Sequence, residues 1–221
     1  MIIAIDGPSG AGKGTLARAV ADALHYRHVD TGAMYRAVAW KALQQGLGFD
    51  DEAPVAALAD TAMLEQHDGR ITIDGHDVTR EIRTPAIDKA ATAVARLAAV
   101  RRVLVDRQRA LGAEGGVVME GRDIGTVVFP DADIKVYLDA SAEERARRRA
   151  SDPAHTGGPS SIAGVQSDLQ ARDRSDSTRA VAPLAVAPDA IYIDTTGMPI
   201  DQVVERVLGM VNQKLQIARP G

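Results

Sequence analysis

A single run, GPSGAGKGT from Gly7 to Thr15, limits what this chain can fold into more than any other stretch. Four glycines in nine residues are costly in backbone entropy, so the loop's shape must serve a purpose. On its left stands Met1 to Ile5, short, mostly β-branched and apolar, which reads as a buried strand. On its right Leu16, Ala17, Val20, Ala21 and Leu24 recur at helical spacing. Strand, glycine turn and helix form the setting in which G-x-x-x-x-G-K, here Gly7, Gly12 and Lys13, cradles phosphate. Backbone N–H groups turn inward around the anion, the helix dipole adds attraction, and Lys13 brings a compact positive charge to the outer phosphates.

Several other apolar runs also end in an acid. IIAID closes on Asp6, RHVD on Asp30, GVVME on Glu120, IKVYLD on Asp139 and IYID on Asp194. Nearly continuous apolar runs separated by helical stretches predict a parallel sheet covered on both faces. Ligands of such sheets bind at the carboxyl ends of the strands, where the acids and the glycine loop would gather. Each acid alone is more often a turn former or helix cap. Their shared position predicts a P-loop α/β fold with five parallel strands.

Two regions break this alternation. Leu64 to Thr84 has a hairpin signal at Asp68-Gly69 and β-like residues at Arg70 to Ile73, which predicts a small β-containing insertion. One long alanine-rich helical region, Ala86 to Leu111, is expected after it. The second region is SDPAHTGGPSSIAG, Ser151 to Gly164, whose glycine, proline and serine content predicts a short mobile loop. Arginines flank it: Arg145, Arg147, Arg148 and Arg149 before, Arg172, Arg174 and Arg179 after. Charged runs on helices often form solvated faces. Beside a phosphate loop they also suit a lid that closes over nucleotide and excludes water, with Arg145, Arg148 and Arg149 as candidates. DTGAMYR, Asp30 to Arg36, reads as a strand-to-helix turn whose arginine either meets a phosphate or lies on the surface. Arg122 and Asp123, at the end of a central strand, are either a structural ion pair or a functional one.

Composition removes whole classes of function. A net charge of −4 argues against a dedicated nucleic-acid binder, so any anion site must be local. The absence of cysteine excludes disulfides, thiolate metal sites and cysteine nucleophiles. No leader or membrane span is expected, and the default expectation is a cytoplasmic soluble protein.

GPSGAGKGT, DTGAMYR, EIRT, EGRDIGTVVFPDA and STRAVAPL stand in an order and at distances that resemble the bacterial cytidylate kinases, a group of P-loop nucleoside monophosphate kinases. The resemblance runs from the first strand to the last helix. It implies transfer of the γ-phosphoryl of ATP to CMP or dCMP with Mg2+, by a monomer that needs neither nucleic acid nor membrane. Carried over residue by residue, it makes Gly7, Pro8, Ser9, Gly10, Ala11, Gly12, Lys13, Gly14 and Thr15 the ATP-phosphate loop. Arg36, Arg122 and Arg179 would hold the CMP phosphate, Thr31 would join the CMP-binding set, Thr92, Arg101 and Asp123 would face cytosine, and Arg172 and Asp176 would meet the sugar. Lys13, Arg122 and Arg179 would be catalytic. Thr92 stands where the family pattern has serine. Gly14 stands where the phosphate-loop pattern has a magnesium-binding hydroxyl, which leaves Thr15, one position late, as a possible ligand and the metal set open. The resemblance divides the single chain into a core (about 1–30, 112–148 and 180–221), a monophosphate-binding region (31–111, insertion 64–84) and a lid with flanking helices (149–179).

A kinase for another small acceptor shares the loop and lid but has no use for a cytosine-facing set. A GTP-dependent switch needs an asparagine in its guanine-reading motif. The only asparagine is Asn212 in VNQK, which cannot supply it.

Overall fold

β1 (Ile2–Asp6) is apolar up to its closing Asp6 because it is the central strand, paired in parallel with β6 (Val117–Gly121) on one side and β7 (Ile134–Asp139) on the other. β2 (Arg27–Asp30) and β8 (Ile191–Asp194) complete a five-stranded parallel sheet in the order β2-β6-β1-β7-β8, as the acid-terminated runs predict. This computed structural model describes residues 1–152 and 161–217.

Alternate side chains leave opposite faces of the sheet. Ile3, Ile5 and Val118 pack on Leu16 and Val20 of α1 (Lys13–Leu24) and on Val203, Val207 and Val211 of α8 (Ile200–Ile217). Ala4, Val29 and Met119 face Val105 of α5 (Ala98–Gly112) and a single π-helical turn, Ile124–Val128. Each fully buried Ile, Leu or Val contributes about 1.5–3 kcal/mol, so layers on both faces fix β1 and the loop that leaves it.

Between β2 and β6 the chain builds a second core. α2 (Thr31–Gln44), α3 (Glu52–Thr61), α4 (Pro85–Val94) and α5 enclose Val38, Val55, Ile71, Ile73, Ile87 and Leu104. The β-containing insertion lies here as an antiparallel sheet of β3 (Leu64–His67), β4 (Arg70–Ile73) and β5 (His76–Asp77). Asp68 and Gly69 turn with φ of 48° and 75°. Asp74 and Gly75 repeat that turn, with φ of 48° and 78°, and add the third strand. Asp-Gly tolerates two successive left-handed residues, which is why it recurs at both bends.

The single helical region expected over Ala86 to Leu111 is two helices, α4 and α5, broken at residues 95–97. No glycine or proline marks the break. It is stabilised from a distance: Glu52 of α3 accepts from the Ala99 N–H at 3.0 Å and satisfies the exposed start of α5.

α6 (Ala142–Ala150) and α7 (Ile162–Thr178) pack together through Ala146, Val165 and Leu169, and Ser141 and Ser161 cap them. The loop expected to be mobile between them lies, for residues 153–160, outside the described residues. No described helix is long and apolar enough to cross a membrane.

Candidate active site

The glycine loop joins the carboxyl end of β1 to the N-terminus of α1. Gly7 and Gly10 are steric requirements there. A Cβ on Gly7 (φ 146°) would stand 2.0 Å from the Leu138 carbonyl oxygen, and one on Gly10 (φ 80°) 2.9 Å from that of Arg145. Lys13 is buried and donates to the Pro8 carbonyl at 2.7 Å. Burial, and next the charge of Arg122, lowers its pKa to about 7. A buried amine whose hydrogen-bond partner, among the described residues, is a neutral carbonyl is poised to take up an anion.

The loop opens into a cleft of about 1240 Å³. Among the described residues eleven basic and six acidic side chains line it, a local positive excess in a chain of net charge −4. Ser9, Gly10, Gly12, Lys13, Gly14 and Thr15 form one wall. Thr31 and Arg36 reach it from α2, Thr92 from α4 and Arg101 from α5. Arg122 and Asp123 follow β6, Arg148 and Arg149 end α6, and Arg172, Asp176 and Arg179 come from α7 and its exit. Residues up to 170 positions apart in the chain thus share one cleft, because every strand of the parallel sheet ends on the same side.

Within it, acids hold arginines in fixed orientations. Asp123 accepts from Arg101 on one oxygen and from Arg179 Nη2 at 3.2 Å on the other. The Arg101 guanidinium lies 5.5 Å over the Tyr35 ring, while its Nη1 is buried with no partner among the described residues. Arg122 Nε donates to Asp176 at 2.9 Å; burial opposes both charges, but the pairing keeps the Asp176 carboxyl below its usual range and Arg122 above its own. Arg36 pairs with Asp30 at 2.9 Å, and Arg172 with Asp88 at 3.1 Å. The Nε atoms of Arg36 and Arg172 are buried without a partner among the described residues. Those nitrogens have capacity for a ligand.

Four predicted residues lie behind this wall. Gly7 abuts β7, the Pro8 carbonyl accepts from Lys13, and the Ala11 carbonyl accepts from Arg148 at 3.3 Å. Arg145 is buried and braces the loop from below: its Nη1 donates to the Ser9 carbonyl at 3.1 Å and to Asp173 at 2.5 Å. The structure therefore places Arg145 under the loop, and Arg148 and Arg149 in the cleft.

Sequence reasoning passed over Tyr35, Arg83, Asp88 and the role of Asp6. Tyr35 sits inside the quoted DTGAMYR, one residue from Arg36, and Arg83 inside EIRT. Asp6 accepts from the N–H groups of Ile124 and Gly125 at 2.8 and 2.7 Å, tying the π-helical turn beside Asp123 to the root of the glycine loop. Burial pushes its carboxyl up to about 6 against those two amides. The other strand-end acids divide: Asp30 caps α2 through the Ala33 N–H, Asp194 closes a turn on Thr196, and Glu120 lines the cleft beside Gly14. A second hollow of about 270 Å³ lies on the other side of Gly12 and Thr15, lined by Arg148, Met198, Ile200 and Val203.

Comparison with known proteins agrees with this architecture. The family described as Cytidylate kinase matches residues 3–213. A protein named Cytidylate kinase from Desulfitobacterium hafniense is 48% identical over 217 residues, covering 97% of this chain and 94% of the relative. One of the same name from Pelotomaculum thermopropionicum is 49% identical over 215 residues, covering 95% of each. Among solved structures, a shikimate kinase from Acinetobacter baumannii aligns with a TM-score of 0.51 at 16% identity, covering 96% of this chain and 93% of the other, a likeness of fold alone.

Proposed function

The chain belongs to the cytidylate kinase family, and from that membership we propose how its cleft performs the family's reaction. It transfers the γ-phosphoryl group of ATP to CMP or dCMP, giving ADP and CDP or dCDP. The alternative of another small acceptor is not favoured.

In this reading the glycine loop and Lys13 hold the ATP phosphates. The hollow between Arg148 and Met198 takes the adenine, since Leu138, Met198, Ile200 and Val203 give it apolar surface and Gly12 and Thr15 of the loop line it too. Arg36, Arg122 and Arg179 hold the CMP phosphate, with Thr31 beside them in the cleft donating its hydroxyl to the Glu120 carbonyl at 2.8 Å, and region 31–111 is the monophosphate-binding unit. Two polyanions must approach, so fixed cations offset their repulsion before any bond changes. A CMP phosphate oxygen, already ionised near neutral pH, attacks in line; no protein nucleophile or general base is needed. Lys13, Arg122 and Arg179 stabilise charge on the transferring group.

Magnesium enters as part of the ATP substrate. Among the described residues no three acidic or histidine side chains gather to hold a metal, which suits an ion bound mainly by phosphate oxygens and water. The Thr15 hydroxyl and the Glu120 carboxylate are hard oxygen donors on that side of the cleft. Bound there, the ion would neutralise phosphate charge. The proposal also keeps the protein a cytoplasmic monomer that acts without nucleic acid, and the acidic net charge supports the last of these.

The observation that carries the base assignment is the array Arg101–Asp123–Arg179, which sets a fixed carboxylate beside fixed guanidiniums and the Thr92 hydroxyl in one cleft. Cytosine offers an amino donor at N4 and acceptors at N3 and O2, a complement to that array. A coupled assay comparing CMP, dCMP, UMP and AMP as acceptors tests it. Efficient use of both cytidylates with little turnover of the others is expected; equal use of UMP would remove the cytosine-reading role.

A further inference from the structure

Asp88 belongs to none of the machinery assigned above. It stands in α4 one turn before Thr92, whose hydroxyl donates to the Asp88 carbonyl at 2.9 Å. Its carboxylate is gripped by arginines from two other helices. Arg172 of α7 donates from Nη1 to Oδ1 at 3.1 Å, and Arg149 at the end of α6 pairs with Oδ2. Each oxygen thus engages a guanidinium that lines the phosphate-gathering cleft. Side-chain exposure is only 16% for Asp88, 20% for Arg149 and 18% for Arg172.

Such a cluster is unfavourable without an anion in it. Burial lowers the Arg149 pKa to about 10, with Arg172 and Arg36 adding like-charge repulsion and Asp88 opposing both effects. Arg172 is lowered by burial too, again against Asp88. Breaking a buried ion pair on one side leaves an uncompensated charge, so the arginines need a replacement if they leave the carboxylate. A polyphosphate supplies one, with more charge and more acceptor oxygens than a single carboxylate. The buried, unpartnered Nε of Arg172 shows donor capacity beyond what Asp88 uses.

We infer that Asp88 is a resident anion. It holds Arg149 and Arg172 together while the cleft has no nucleotide and yields them to incoming phosphate oxygens, so that substrate entry exchanges a carboxylate for a phosphate. Because Asp88 sits on α4 and its partners on α6 and α7, the exchange also unties the helix that carries Thr92 from the arginine helices. The inference rests on reading the cleft as a nucleotide site and adds to it a positioning residue that sets how tightly the empty site holds its own cations.

Asp88→Asn keeps the shape and removes the charge. Tripolyphosphate, which has anionic oxygens but no base or sugar, is titrated by calorimetry into wild type, Asp88→Asn and Asp88→Glu. Removing the competing carboxylate is expected to tighten binding in Asp88→Asn by roughly two- to fivefold, the scale of one charge contact at a partly exposed site. Asp88→Glu, which keeps the charge, stays close to wild type. A residue that only braced the fold would leave affinity unchanged or weaken it, and either result in Asp88→Asn overturns the inference. If that variant does not fold, wild type decides: tripolyphosphate is expected to speed amide hydrogen exchange over residues 86–92, and slowed or unchanged exchange there overturns the inference. Failure of the functional reading looks different, since tripolyphosphate would act as described while CMP was not phosphorylated.

Discussion

Lys13 shows how a residue can be unfavourable for the fold and necessary for the site. Its pKa near 7 in the folded protein lies below the ordinary lysine value of 10.5. The unfolded chain therefore binds more protons between those limits, so this group's contribution to stability rises with pH across that window and is least favourable below it. Lys13→Met should leave the melting temperature unchanged or higher while lowering kcat by about 10³-fold, the scale of losing a transition-state charge. A well-folded mutant with near-normal turnover would refute the phosphate-loop role. Since bound phosphates raise the lysine's pKa again, ATP binding at pH 8 should take up about one proton or less per site. Calorimetry in two buffers of different ionisation enthalpy measures this, and zero uptake would contradict it. At the other end of the cleft, Arg101→Met should lose CMP activity by about 10²-fold or more while ATP binding persists, because uracil or a missing donor leaves buried groups unpaired. Steady-state kcat/KM for CMP and UMP decides it. Asp176→Ala should weaken CMP and dCMP alike, because both carry the ribose 3′-OH; loss of CMP alone would exclude that contact.

At the scale of elements, the glycine loop is held from outside as well as by its own sequence. The Leu138 carbonyl of β7 occupies the space where a Gly7 side chain would stand, and Arg145 of α6 ties down Ser9. Gly7→Ala should therefore separate the loop from β7. A cost of about 2–3 kcal/mol is expected, which for a chain of this size lowers the melting temperature by roughly 5–10 °C. A melting temperature within about a degree of wild type would show that the strands can absorb the methyl group. The loop, its flanking strand and helix, and the hairpin at Asp68-Gly69 were legible in the sequence because each is decided by residues within a few positions. The second turn at Asp74-Gly75 carried the same signal and was open to the same reading. The break between α4 and α5 was not legible, since Glu52 stabilises it from 47 positions away.

For the whole molecule, the five strand ends gather the site and the side layers hold it there. Among the described residues eleven basic side chains line a cleft in an acidic protein, so the charge excess is local. ATP at 100 times its Kd should stabilise the fold by about 2.7 kcal/mol by mass action, and added salt should shrink the gain by weakening binding. Thermal melts at two ionic strengths measure it; a shift that ignores salt would deny the cleft its electrostatic role. The sequence by itself determined the phosphate loop, the parallel α/β class, the β insertion and the family, because strand period, helix period and glycine turns are short-range properties and ordered motifs are read directly. Only the tertiary structure decided which acid holds which arginine. Asp123 meets Arg101 across 22 positions, Arg122 meets Asp176 across 54, and Asp88 meets Arg172 across 84. Arg145 went beneath the loop and Arg149 into the cleft although they differ by four residues on one helix, because one points at β1's loop and the other at α4. Periodicity says that such side chains share a helix; what they touch depends on which helix is packed opposite, and that is fixed by the whole fold.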